Sequence, residues 1–196
     1  MLSVVVSKGM NKVKMAMTVK RFLTKILIAL SLLLGGAAPA MAQDVGANQT
    51  FKDWVVRCVP RDGLPPCDMV QSVFNADTEQ RLLQMSVAHL GRDDQVGIQI
   101  WVPTGVLVSS GVLFEIDGKE RVLGALQYTR CEADGCLVEA IVPANDLKPL
   151  RAGRKGAFAV LGSDGQPRVI AVSLSGFSAA LKAVGAKNKE WFSTTN

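Results

Sequence analysis

The stretch LQYTRCEADGCLVEAIVP, residues 126–143, decides the fold. Its flanks read as two strands, and a cysteine stands at each end of the acidic, turn-prone tetrad Glu132-Ala133-Asp134-Gly135. Period-2 patterning is a strand signal, and Asp-Gly is turn chemistry. The stretch therefore reads as an antiparallel hairpin with Cys131 facing Cys136. Cysteines opposite one another in a non-hydrogen-bonded antiparallel pair stand at a separation a disulfide spans. Gly135, just before Cys136, is suited to a left-handed backbone.

Whether those cysteines are bonded depends on compartment. The N-terminal part reads KRFLTKILIALSLLLGGAAPAMAQD: basic Lys20, Arg21 and Lys25, an apolar run from Ile26 to Leu34, then Ala40-Met41-Ala42. That is the layout of a secretory signal peptide. The run is shorter than the roughly 20 apolar residues a membrane span needs. Cleavage after Ala42 is expected, giving a signal peptide over 1–42 and a single β-rich domain over 43–196. The chain can start at Met1 or at Met17, which would give a compact leader. No cysteine stands at the cut, so no lipid anchor is expected. An exported chain has a periplasmic, extracellular or outer-membrane-associated fate, and its mature part has no transmembrane span.

Cleavage also changes the charge. The whole chain carries 22 basic and 17 acidic residues, a net of +5. Six of the basic residues (Lys8, Lys12, Lys14, Lys20, Arg21, Lys25) precede the cut and no acidic residue does, leaving 16 basic against 17 acidic groups. The basicity belongs to the leader, so no nucleic-acid partner is expected, because phosphate binding needs a basic surface on the folded domain.

All four cysteines lie after the cut, and an even count in an oxidising compartment implies disulfides. The local pairing Cys58–Cys67 and Cys131–Cys136 is expected, each bridge strapping one hairpin. Zinc would want C-x2-C-like spacing or paired histidines, and a thioredoxin-like site wants C-x-x-C. The chain has neither spacing and one histidine, so no metal and no cofactor are expected.

Short alternating segments continue along the chain. FKDWVVRC (51–58), DMVQSVFN (68–75), RLLQMSVAHL (81–90) and QVGIQIWVP (95–103) read as strands separated by turn residues. Asp117-Gly118 closes a hairpin in GVLFEIDGKERVLGAL (111–126), and Gly162–Pro167 closes another in KGAFAVLGSDGQPRVIAVSL (155–174). ANDLKPLRAG (144–153) reads as one or two helical turns interrupted by Pro149 and stopped by Gly153. SGFSAALKAVG is the one clear helix, with Ser175 as cap, a stripe of Phe177, Ala180, Leu181 and Val184, and Gly185 as stop. The pattern predicts an all-β chain: an antiparallel β-sandwich or small barrel-like fold with one or two short helices near the C-terminus.

The segments DWVVRC, PPCDMVQ, IWVPTGVLVSSGVLFEIDG, YTRCEADGCLVEAIV and VSLSGFSAALKAV occur in this order between Phe51 and Val184. In that order and cysteine spacing the chain resembles the invasion-associated locus B family of exported alphaproteobacterial proteins. The resemblance implies a link to bacterial entry into host cells. It brings no catalytic residue, cofactor or ligand with it.

The residues themselves offer little chemistry. His89 is the sole imidazole, so any Ser-His-Asp or Cys-His centre would have to use it; its place at a strand end reads as structural. Asp93-Asp94 and Asp117/Glu120 fall in predicted turns, where carboxylates are usually solvated. No P-loop, dinucleotide fingerprint, EF-hand or HExxH is present. No catalytic residue is therefore assigned. Three aromatics are candidates for a binding surface. Trp101 has opposite parity to Ile98 and Ile100, which leaves it partly exposed, packed under a loop, or covered by the C-terminal segment. Trp191 and Phe192 follow the helix in KNKEWF and either fold back or meet a partner. Two functions remain: a non-enzymatic envelope or surface module binding an unknown protein or envelope partner, or a periplasmic hydrolase acting on envelope glycans through paired carboxylates.

Overall fold

Turn chemistry sets where each strand begins. The computed structural model describes residues 48–90, 94–118, 120–124 and 126–195, all within the unit Asp44–Asn196. The expected leader and cleavage site lie outside the described residues. Strands β1 (Gln49–Phe51) and β2 (Trp54–Cys58) meet at a tight turn in which Lys52 takes a φ of 54°. Between β3 (Cys67–Phe74) and β4 (Arg81–His89), the Asn75 side chain accepts the N–H groups of Asp77 and Thr78, an Asx turn. Strand β5 (Gln95–Val102) follows. Asp117 and Gly118, both at positive φ, turn β6 (Val112–Ile116) into β7 (Glu120–Arg121). Strands β8 (Tyr128–Cys131) and β9 (Cys136–Pro143) flank the opening tetrad. The last hairpin is β10 (Lys155–Leu161) with β11 (Pro167–Ser173).

The strands form two antiparallel sheets, a seven-stranded one ordered β1-β2-β3-β4-β5-β9-β8 and a four-stranded one ordered β11-β10-β6-β7. One cross-strand row of the larger sheet runs Val56, Met69, Val87, Ile98 and Ala140. The first four are buried, because they point at the core the two layers share. In the smaller sheet Phe114 and Phe158 are cross-strand neighbours with stacked rings, centroids 4.1 Å apart. The Asp117-Gly118 and Gly162–Pro167 hairpins and both expected disulfides are present, so the all-β antiparallel expectation holds.

The helices differ in detail from the sequence reading. Pro149 does not interrupt its segment. A 3-10 turn (Ala144–Leu147) runs directly into α1 (Lys148–Ala152), and Pro149 sits in the first helical turn, where a missing N–H costs nothing. The C-terminal helix α2 spans Phe177–Thr195 and does not stop at Gly185. Ser175 is not its cap either: the chain enters through Gly176 at φ 90°, whose carbonyl accepts the Ala180 N–H. Phe177, Ala180, Leu181, Val184 and Asn188 are buried along one side, and α2 packs on β2, β3 and β4. Phe177 meets the buried Trp54 edge-on at 5.1 Å.

Gly185 is a glycine because of what lies beside it. A Cβ there would stand 3.0 Å from Cδ2 of His89. One turn further on, Asn188 fills a gap where β3 and β4 part. Its Oδ1 accepts the Cys67 N–H, and its Nδ2 donates to the carbonyls of Cys67 and His89. The buried amide imitates a missing strand residue and locks α2 to the sheet.

Candidate functional site

The smaller sheet and α2 cover one face of the larger sheet. The opposite face is open. Its central rows are Ala88–Gly97–Ile141 and Ser86–Gln99–Glu139 across β4, β5 and β9. Small residues in β4 and β5 leave a depression, and the β2–β3 loop raises its wall. That loop is closed at its base by Cys58–Cys67, with Cα atoms 4.0 Å apart, and by the Val59 N–H donating to Pro66 O. Leu64 and Pro65 are thereby held over the sheet. On another side Leu90 leans into the room left by Gly97, its Cδ2 3.3 Å from where a Cβ would be. The result is a groove of about 490 Å³ lined by Leu64, Pro65, Ala88, Leu90, Gly97 and Ile141 with polar groups between. Leu64 is 55% exposed and Ile141 65%.

Two carboxylates line the groove, and both are engaged. Asp68 is buried and accepts Arg57 Nε at 2.9 Å, Arg57 Nη2 at 3.1 Å and Arg61 Nη2 at 3.0 Å. The hydrogen bond to Asp68 holds the Arg57 guanidinium above its ordinary pKa, against the opposing effect of burial. Glu139 accepts from Gln99 at 2.8 Å and Arg130 at 2.8 Å. Asp68, clamped by two guanidiniums, and Glu139, held by Gln99 and Arg130, thus serve as structural anchors of this face.

Further along the same face, Trp101 is pinned. The Arg81 guanidinium lies 3.8 Å from its ring centroid, and the Gly135 backbone lies against the indole. Gly135 does not have a left-handed φ, as the sequence reading expected. It is glycine because any Cβ would overlap the Trp101 ring. Trp101 is therefore covered by Arg81 and the 131–136 loop, not by the C-terminal segment. Phe74, Glu79, Ser72, Pro103 and Asp134 surround it, with Phe74 exposed.

The remaining candidates sit elsewhere. Trp191 and Phe192 are half-buried on α2, edge to face at 4.8 Å. They are within the helix, which lies on the other side of the large sheet from Trp101, so the three aromatics do not converge. Trp54 is core, its Nε1 donating to Ser173 O at 3.0 Å. His89 is half-buried at the end of β4; burial lowers its pKa, Asp94 opposes that, and Arg151 adds to it. Its backbone carbonyl serves the Asn188 clamp. Asp117 accepts the backbone N–H groups of Arg154 and Lys155 and ties two loops together. Asp93 lies outside the described residues, as does the side chain of Glu120.

All four cysteines are in disulfides, which leaves no thiol nucleophile. Among the described residues, no three His, Cys, Asp or Glu side chains gather as a metal site, and no helix is long and apolar enough to cross a membrane. Sequence reasoning missed the groove. Its signal was the small residues Ser86, Ala88 and Gly97 at outward positions of β4 and β5, legible only once strand pairing sets them side by side.

Known proteins bear on this arrangement. The family model for the invasion associated locus B (IalB) protein matches residues 54–185, from buried Trp54 to Gly185. The chain is 31% identical over 145 residues to Invasion protein B of Bartonella bacilliformis, covering 72% of this chain and 76% of that protein. It is 28% identical over 162 residues to an Invasion protein B homolog of Brucella abortus, covering 82% and 92%. Among solved structures, the crystal structure of invasion associated protein B from Bartonella henselae superposes with a TM-score of 0.64 at 30% identity, over 74% of this chain and 99% of that one. The matched span holds both disulfides, the open sheet face and both residues that the Asn188 amide bonds, and the chain belongs to the invasion associated locus B family.

Proposed function

We propose that the protein is a non-enzymatic envelope or surface module that binds a protein partner through the open face of its seven-stranded sheet. One observation carries the reading: a groove of about 490 Å³ on a face that no other layer covers, rimmed by exposed Leu64 and Ile141. Exposed apolar rims around a depression are the usual mark of an interaction site. The engaged state of Asp68 and Glu139 gives the glycan-hydrolase alternative no support. The expected leader and two disulfides favour the periplasm or the cell surface. The relatives' names, Invasion protein B, tie those proteins to invasion, and the same context is proposed for this one.

The test is photo-crosslinking in intact cells from a reactive residue placed at Ile141, with Lys182 on the exposed side of α2 as control. A discrete adduct from Ile141 and none from Lys182 supports the reading. No adduct from Ile141, or the same adducts from both, overturns it.

A further inference from the structure

In β4 the residues Leu83, Met85 and Val87 are buried in the core, so alternation puts Gln84 on the open face and would turn Arg81 inward. The pairing of β3 with β4 shifts between Val73 and Phe74: Val73 faces Leu83, and Phe74 faces Arg81. The extra residue, Leu82, brings Arg81 out onto the open face. There its guanidinium lies 3.8 Å from the Trp101 ring centroid, and its Nη1 donates to Gln84 Oε1 at 3.0 Å. A bulge re-aims a side chain. This one sets a fixed cation beside Phe74, which is 57% exposed.

Two loops complete a shallow depression around these residues, and each is held in place. The β3–β4 turn carries Glu79. Asn75 closes that turn with its side chain, and the Glu79 N–H donates to the Asn75 carbonyl. Glu79 has a φ of 56°, a left-handed backbone that glycine takes at less cost. A glutamate kept at such a position points to a use for its carboxylate. The 131–136 loop carries Asp134; it is strapped by Cys131–Cys136 and seated on Trp101 through Gly135. Glu79, Asp134 and Arg81 line the same depression. Among the described residues, no ion pair joins Arg81 to either carboxylate, and neither carboxylate accepts a hydrogen bond.

We infer that this depression binds a neutral saccharide, with the Phe74 ring against the C–H face of a pyranose and the sugar hydroxyls between Arg81 and the two carboxylates. Charge selects the class. Two carboxylates against one guanidinium repel a phosphate, sulfate or carboxylate ligand. A cationic ligand meets Arg81, which already holds the place over Trp101 where a cation would sit. A hydroxyl suits both neighbours, because it accepts from a guanidinium and donates to a carboxylate. Several hydroxyls together satisfy opposite charges that the protein leaves apart, and the preset loops lower the ordering cost of binding. The depression shares no lining residue with the groove, so this site goes beyond the protein contact proposed there and stands or falls separately.

The test is a titration of isotope-labelled protein, as the cell processes it, with neutral oligosaccharides of glucose, galactose, mannose and N-acetylglucosamine, followed by NMR chemical shifts. At least one should move the Phe74, Arg81 and Trp101 signals at millimolar concentration, and its sulfated form should bind more weakly. Phe74→Ala should weaken that binding roughly tenfold or more. Glu79→Gly should weaken it too while leaving the denaturation midpoint unchanged or raised, since glycine relaxes the backbone there. Ile141→Ala, in the groove, should leave it unchanged. If none of the neutral oligosaccharides moves those signals, the proposal is overturned. Binding of the sulfated form or of choline as tight as that of the neutral sugar overturns it too, as does undiminished binding in folded Phe74→Ala or Glu79→Gly protein. None of these results alters the crosslink expected from Ile141.

Discussion

Gly135 lies against the Trp101 indole, folding the loop of one disulfide-strapped hairpin back onto β5, the strand that pairs with β9. The loop and Arg81 hold the ring between them. The hairpin is thereby docked to the sheet as well as closed on itself.

Gly135→Ala should therefore lower stability by about 1–3 kcal/mol, the cost of forcing a methyl into a filled site. The loss comes from the contact and not from the backbone, so Trp101→Ala should reduce it. A double-mutant cycle measured by chemical denaturation checks this: additive single effects would mean that the two residues do not touch in solution.

Asn188→Ala should cost about 2–3 kcal/mol, because a buried N–H and two carbonyls lose their partner together. Hydrogen exchange at the Cys67 amide should accelerate in this variant. Unchanged exchange there would remove the clamp from the account.

Peptide mapping without reduction should recover Cys58 linked to Cys67 and Cys131 linked to Cys136. Chain entropy assigns about 3 kcal/mol to the first bridge and about 2 to the second. Cys58→Ser/Cys67→Ser should in addition loosen Leu64 and Pro65 from the groove, which Cys131→Ser/Cys136→Ser should not. Faster exchange of the Leu64 amide in the first variant alone is the measurable difference.

The pH dependence follows from burial. In the folded protein the His89 pKa is lowered from 6.5, chiefly by desolvation. The unfolded chain then binds a proton that the folded chain refuses, so this contribution is intact above about pH 6.5 and is lost as the pH falls toward the folded value. His89→Gln should flatten that part of the curve. Tyr128 acts at the alkaline end, its pKa pushed up to about 12 by desolvation, and its contribution is lost as the pH rises from 10. Denaturant midpoints measured from pH 5 to 11 test both signs.

The leader should be absent from the protein recovered from cells, with Gln43 as the first residue. Intact mass spectrometry decides it; a retained 20–42 segment would contradict the export argument.

The sheets were legible because alternation and turn residues are local. Asp117-Gly118 needs only its two neighbours to be read as a hairpin turn, and Cys131 and Cys136 need only the strands beside them. The misread glycines share a cause with the unread Asn188: all three owe their identity to residues remote in sequence. Gly185 looked like a helix stop, but it makes room for His89. Asn188, to which the sequence alone assigned no role, lies where the buried stripe continues and answers β3 and β4. Gly135 answers Trp101. The groove was hidden for the same reason: Ala88, Gly97 and Ile141 are far apart in sequence and become one row only through pairing.

Both bridges join cysteines that are consecutive in the chain, nine and five residues apart. A polypeptide threading out of a pore therefore offers each sulfur its correct mate before any wrong one is in reach. Oxidation in order of emergence yields the native connectivity without an isomerisation step. Delay until the whole chain has emerged is what would create competition among the three possible pairings.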